Sequence, residues 1–108
     1  MKMKLKMKLE KSRKEIDKID IEIVELLAKR RDCSAVIGKY KKENGLKIYQ
    51  PEREREILEK KADLAKKVGV SADLVRKIFR HIFKDSRDVQ GVVWRRGVSM
   101  HFKKGFLK

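Results

Sequence analysis

Arg30 is a charged residue in a place where an apolar helix pattern predicts none, and Lys41 is a second cation on the same predicted helix. Arg30 lies between Leu26 and Cys33 in an otherwise apolar stripe, and an unpaired charge there is costly to bury. Lys41 follows about three helical turns later, so both cations project from nearly the same face. Two such cations suit a small anion in the interior of a helical bundle. The alternatives are a snorkelling or salt-bridged Arg30 and a solvated Lys41 near the helix end.

Three further polar residues are candidates on two other predicted helices. Arg53 lies in a first turn, where the helix dipole disfavours cations, so it either has an anionic partner or belongs to an exposed charged turn. Ser86 and Gln90 are one turn apart on or beside an apolar face, and they need a ligand, the preceding turn or water as a partner. His81 and His101 lack neighbours at metal-ligand spacing, and Ser86 lacks a His and Asp arrangement. We therefore expect neither metal-assisted nor nucleophilic chemistry.

Three helices are predicted to position these residues. The first covers residues 10–44, contains no Pro, and repeats apolar residues at alternating steps of three and four, which is a heptad pattern. The second begins at Pro51 and ends near Gly69, because Pro is favoured in a first turn and Gly closes a helix. Ser71 is a suitable cap for the third, which carries a broad apolar face. After Gln90 glycines interrupt the pattern, and the sequence looks strand-like or irregular.

The first predicted helix is too long to be covered by its own chain. Its stripe consists of Ile16, Ile19, Ile23, Leu26, Arg30, Cys33, Ile37 and Tyr40. A helix of about 35 residues is roughly 50 Å long, whereas a compact chain of this size has a radius of gyration of about 13 Å. We therefore expect an all-α fold with three helices per chain, intertwined with a second copy as a homodimer.

The distribution of charge separates a central domain from two basic ends. The 108 residues include 31 Lys and Arg against 16 Asp and Glu, a net charge of +15. Nine of these cations lie in residues 1–8 and 91–108, which contain no acid, and they flank a domain at 9–90. A nucleic-acid-binding function is disfavoured, because it would concentrate the cations on one face. The single cysteine and the lack of an unbroken apolar run predict a cytoplasmic protein without disulfides or a membrane span.

Across residues 9–90 the sequence resembles the all-helical class of chorismate mutases. The resemblance is carried by the runs RKEIDKIDIEIVELLAKRRDCSAVIGKYKK, PEREREILEK and FRHIFKDSRDVQ, in this order and near the family's spacing. It implies a homodimeric enzyme of phenylalanine and tyrosine biosynthesis that needs no cofactor or metal. Its substrate would be chorismate, a small dianion, converted to prephenate by a Claisen rearrangement. Such an enzyme holds the reactive conformer and stabilises the charge that develops on the ether oxygen.

The resemblance also implies which residues bind the substrate carboxylates. Arg30 would bind one, assisted by Ser86, and Arg13 would bind from the partner subunit, with Arg53 supporting the anion-binding wall. Arg13 and Lys41 are 28 residues apart, about 42 Å along a straight helix, so no small dianion spans both within one chain. An antiparallel second copy of the first helix would bring them together, giving two equivalent sites per dimer.

The remaining implied roles concern the breaking bond and the substrate hydroxyl. Lys41 and Gln90 would hydrogen-bond the ether oxygen, and Glu54 would hold the hydroxyl. Gln50 would lie near that hydroxyl, at a position where many relatives have Asp, and a backbone contact could replace the missing carboxylate.

Two alternative functions remain open at this point. Relatives of the same fold eliminate pyruvate from isochorismate, and the same carboxylate-binding residues would serve that substrate. A helical nucleic-acid-binding protein would instead use the basic ends to contact phosphates in a salt-dependent way. That second alternative explains the net charge of +15 but leaves the polar positions on the apolar faces without a role.

Overall fold

The computed structural model describes residues 2–96 as three helices, α1 (Lys2–Glu43), α2 (Pro51–Lys67) and α3 (Ala72–Arg96). The prediction of an all-α fold with a long first helix is confirmed. α1 begins earlier than predicted, so that residues 2–8 of the basic N-terminal segment are helical. These residues contain neither Pro nor Gly and consist of Lys, Met and Leu, which are all good helix formers. None of the helices in residues 2–96 combines the length and the apolar character needed to cross a bilayer.

Local sequence signals set most of the helix ends. Gly45 and Gly69 have positive φ angles of 66° and 78°, the left-handed conformation that closes a helix at little steric cost. After α1 the backbone N–H of Leu46 donates to the carbonyl oxygen of Lys41 at 2.8 Å. Before α3 the Ser71 hydroxyl oxygen accepts a hydrogen bond from the backbone three residues ahead at 3.2 Å. The chain therefore turns back immediately after α1 and again after α2.

α3 continues past Gln90, where the sequence pattern predicted its end. The helix passes through Gly91 and ends at Arg96. Val93 is buried at 3% exposure, and the Trp94 indole N–H donates to the backbone of α1 at 3.0 Å. These tertiary contacts outweigh the low helix propensity of Gly and Val. The sequence pattern gave residues 91–108 no assigned structure. Residues 91–96 are helical, and residues 97–108 lie outside the described residues.

Contacts divide the chain into two units, Met1–Arg30 and Arg31–Lys108. The described part of the first unit is a single helical segment in which no residue is buried. Its stripe residues Ile16, Ile19, Ile23 and Leu26 are between 47% and 60% exposed. This segment therefore presents an apolar stripe that the unit itself does not cover.

The second unit contains the core that positions the polar candidates. Ala35 of α1 packs with Val89 and Val93 of α3, and all three are at most 3% exposed. At Gly38 a Cβ atom would lie 2.9 Å from the Cα atom of Gln90, closer than such atoms approach in folded proteins. The backbones of α1 and α3 thus come together at a point where only glycine fits without a shift.

Candidate active site

Lys41 is the one charged side chain that is buried within residues 2–96, at 8% exposure. Its ammonium group donates to Gln90 Oε1 at 2.8 Å and to the carbonyl oxygen of Ile48 at 2.8 Å. An ammonium group has three N–H donors. Within the described part of the chain two are used in this way, which leaves the third for a ligand.

The close approach of α1 and α3 brings Lys41 and Gln90 together. Gly38 lies one turn before Lys41 on the same face of α1, and its missing side chain admits the backbone at Gln90. The Trp94 indole N–H donates to the Gly38 carbonyl oxygen at 3.0 Å, one turn further along α3. The Lys42 ammonium group donates to the Trp94 carbonyl oxygen at 2.9 Å. These contacts fix the C-terminal parts of α1 and α3 in position relative to each other.

The bond from Lys41 also orients the Gln90 amide. Only the amide oxygen accepts a hydrogen bond from an ammonium group, so Nε2 of Gln90 carries its two N–H donors away from that bond. The remaining N–H of Lys41 and the two N–H groups of Gln90 Nε2 are then neighbouring donors, because the buried Lys41–Gln90 hydrogen bond holds the two side chains together. Donors held in this way stabilise an oxygen on which negative charge develops.

Burial and one carboxylate determine the protonation of Lys41. Burial lowers the pKa of the Lys41 ammonium, because the charged form loses hydration, and the carboxylate of Glu54 partly raises that pKa again. The charge is therefore less screened than that of a surface lysine and acts more strongly on a bound anion.

Glu54 is the α2 residue that faces this cluster, and it has a partner that sequence reasoning missed. Arg87 Nη1 of α3 donates to both carboxylate oxygens of Glu54, at 2.5 and 2.6 Å. The Arg87 guanidinium carbon also lies 5.0 Å from the ring centre of Tyr49. The available signal for Arg87 was its position three residues before Gln90. That signal is weak, because the sequence contains 31 Lys and Arg residues and Glu54 is 33 residues away from Arg87.

Three other predicted site residues lie near the start of α2 and in the second half of α3. Arg53 is exposed and lies 3.7 Å from Glu56 of its own helix. Gln50 is the exposed residue that precedes α2; its side chain makes no capping bond, whereas its carbonyl oxygen accepts from the Glu54 backbone N–H at 3.1 Å. Ser86 is half-buried on α3. The substrate contacts predicted for these three residues stay predictions.

The two α1 residues that were predicted to bind the substrate carboxylates, Arg13 and Arg30, belong to the first unit. Arg13 is exposed and Arg30 is half-buried, and their roles as ligands also stay predictions. In the part of the chain that the structure describes, no three His, Cys, Asp or Glu side chains are grouped so as to hold a metal ion.

Comparison with known proteins finds a matching family model and several similar proteins. The family model described as chorismate mutase type II matches residues 12–91. The T-protein of Haemophilus influenzae is 42% identical over 74 residues, which cover 68% of this chain and 20% of that protein. A bifunctional chorismate mutase/prephenate dehydratase of Aquifex aeolicus is 50% identical over 60 residues, 56% of this chain and 17% of that protein. A chorismate mutase of Methanocaldococcus jannaschii is 32% identical over 83 residues, 77% of this chain and 84% of that protein.

Proposed function

Because the chain belongs to the chorismate mutase type II family, we propose that it isomerises chorismate to prephenate, a step toward phenylalanine and tyrosine. The chain matches only about a fifth of the length of the T-proteins among its curated relatives. The observation that carries the proposal is the buried hydrogen bond of 2.8 Å between Lys41 and Gln90. This pair offers neighbouring donors for the ether oxygen of the breaking C–O bond.

The chemistry requires positioning and charge stabilisation only. The bond that breaks and the bond that forms both belong to the substrate, so no protein atom needs to become a nucleophile. The third N–H of Lys41 and the Nε2 group of Gln90 donate to the ether oxygen as negative charge builds on it. Glu54 accepts a hydrogen bond from the substrate hydroxyl and thereby orients the ring.

We assign the two substrate carboxylates to cations of α1, following the family resemblance. Arg30 binds one carboxylate with Ser86, while Arg13 is contributed by a second copy of the chain, with Arg53 and Gln50 at the margin of the site. The homodimer is supported by the exposed stripe of the first unit, where Ile16 and Leu26 are 54% and 60% exposed. Complete burial of a fully exposed side chain of this size contributes about 1.5–3 kcal/mol, and packing against a second copy would supply the part that remains for these half-exposed side chains.

The family match favours this reaction over the two alternatives. Its description names chorismate mutase, as do the names of the relatives from Aquifex aeolicus and Methanocaldococcus jannaschii. We place the activity in the cytoplasm, where the exposed thiol of Cys33 stays reduced.

We expect the purified protein to convert chorismate to prephenate with saturable kinetics and without added cofactor. Arg30→Ala should lower kcat/KM at least ~100-fold, because an uncompensated substrate carboxylate must then be desolvated. Arg31→Ala is the matched control, since the neighbouring Arg31 is exposed and pairs with Asp85 at 3.1 Å. Chorismate loss and prephenate formation are measured directly.

Two outcomes would overturn this proposal. Faster release of pyruvate from isochorismate than formation of prephenate from chorismate would assign the lyase reaction to the fold. Absence of turnover, together with tight nucleic-acid binding that weakens steeply with salt, would assign the chain to the nucleic-acid-binding alternative.

A further inference from the structure

Arg87 of α3 contacts the carboxylate that is assigned to the substrate hydroxyl. We propose that Arg87 is a positioning residue for substrate binding, which orients Glu54 and neutralises its charge next to the dianionic substrate. The inference rests on the proposed function, because it requires Glu54 to contact chorismate. Arg87 lies between Ser86 and Gln90 in the sequence, but it acts through Glu54 and does not bind the substrate itself.

The geometry of the Arg87–Glu54 pair separates it from the other ion pairs. Arg87 Nη1 lies 2.5 and 2.6 Å from the two carboxylate oxygens, and the side chains are only 33% and 23% exposed. In seven other ion pairs of the three helices at least one side chain is more than half exposed. Exposed pairs are screened by water and contribute little, so the Arg87–Glu54 pair is better able than those seven to fix a carboxylate.

Arg87 is itself held from a second side. Its guanidinium carbon lies 5.0 Å from the centre of the Tyr49 ring, within the range of a cation–π contact. Tyr49 directly follows Ile48, whose carbonyl oxygen accepts the bond from Lys41 at 2.8 Å. The segment between α1 and α2 therefore contacts both cations, one through its backbone and the other through an aromatic ring.

The charges around Glu54 explain why an arginine next to it would favour substrate binding. A free carboxylate would repel a substrate that carries two carboxylates of its own. Glu54 lies close enough to Lys41 to act on it electrostatically, and Arg87 Nη1 donates to both oxygens of the Glu54 carboxylate. With its charge offset, the Glu54 carboxylate still has oxygen lone pairs that accept a hydrogen bond from a hydroxyl.

Arg87→Met tests the inference, with Arg76→Met as the matched control. Arg76 also joins α3 to α2, through Glu59 at 3.3 Å, so both variants lose one cation and one interhelical ion pair. We expect Arg87→Met to raise KM for chorismate about tenfold, equivalent to ~1.4 kcal/mol, and to change kcat much less. Arg76→Met should leave both constants within about twofold, and Arg87→Lys should restore most of the affinity, because it keeps a cation next to Glu54.

A double-mutant cycle shows whether Arg87 acts through Glu54. In a Glu54→Gln background, Arg87→Met should change KM by less than about twofold, because the charge to be offset is gone. A full effect in that background would mean that Arg87 contacts the substrate itself, and this would overturn the positioning role. An active wild type whose KM is unaffected by Arg87→Met would overturn the inference alone, whereas an inactive wild type would refute the proposed function and the inference with it.

Discussion

Lys41→Met is expected to lower kcat/KM for chorismate by at least ~100-fold, because it removes a donor aimed at the developing charge on the ether oxygen. Methionine has a similar length and tolerates burial, so the site keeps its volume. The control is Lys39→Met, since Lys39 is an exposed lysine two residues earlier on the same helix. Initial rates of prephenate formation are compared after circular dichroism has shown that both variants are folded. Retention of more than about a tenth of wild-type kcat/KM by Lys41→Met would contradict the assigned role.

The same lysine predicts the pH dependence of the wild-type enzyme. Burial lowers the pKa of Lys41, and Glu54 of α2 only partly offsets this effect. The ammonium form is the donor, so kcat/KM should fall as pH rises through this lowered pKa, before ordinary lysines lose their protons. A profile that stays flat until ordinary lysines titrate would show that the group does not donate to the transition state.

Gly38→Ala is expected to destabilise the fold by about 1–3 kcal/mol, although Ala is normally the better helix former by ~1 kcal/mol. The new Cβ would lie 2.9 Å from the Cα atom and 3.1 Å from the Cβ atom of Gln90. A backbone atom cannot move aside as the end of a flexible side chain can. α3 must therefore shift, and the Lys41–Gln90 bond lengthens with it, so mutase activity should fall as well.

Gly91→Ala is the matched control for Gly38→Ala. Its added Cβ would meet only the Arg95 guanidinium group, at 3.3 Å, which can rotate away, so stability should stay equal or rise by up to ~1 kcal/mol. Urea unfolding at one fixed protein concentration measures both variants, because association affects apparent stability. The fluorescence of Trp94, the single tryptophan, reports on the contact with Gly38. Equal stability of the two variants would show that the close approach of α1 and α3 does not require glycine at position 38.

The parts of the fold that could be predicted are those set by local residues. These parts depend on the backbone or side-chain preferences of single residues. The ends of α1 and α2 followed from Gly45 and Gly69, and the starts of α2 and α3 followed from Pro51 and Ser71. The extension of α3 over residues 91–96 depends instead on contacts with α1, 56 residues away in the case of the Trp94 bond. Low local helix propensity gives no sign of such a contact.

The same distinction applies to the candidate site. Lys41 was singled out by its spacing from Arg30, Gln90 by its place on or beside an apolar face, and both by the family's positions. The structure places Lys41 Nζ 2.8 Å from Gln90 Oε1. Arg87 breaks no pattern, since α3 contains several cations on its exposed faces. Its partner Glu54 lies on another helix, and only the fold brings the two charges together.

The proposed active site combines Arg13 of one copy with Lys41 and Gln90 of another, and a defined heterodimer tests this arrangement most directly. Arg13→Ala and Lys41→Met chains carrying different affinity tags are produced together, and the mixed dimer is purified. One of its two sites then has both residues intact and the other has neither, so we predict about half of the wild-type activity, while each variant homodimer is nearly inactive. A heterodimer no more active than the two variant homodimers, or a wild-type chain that is fully active as a monomer, would contradict a site shared between two copies.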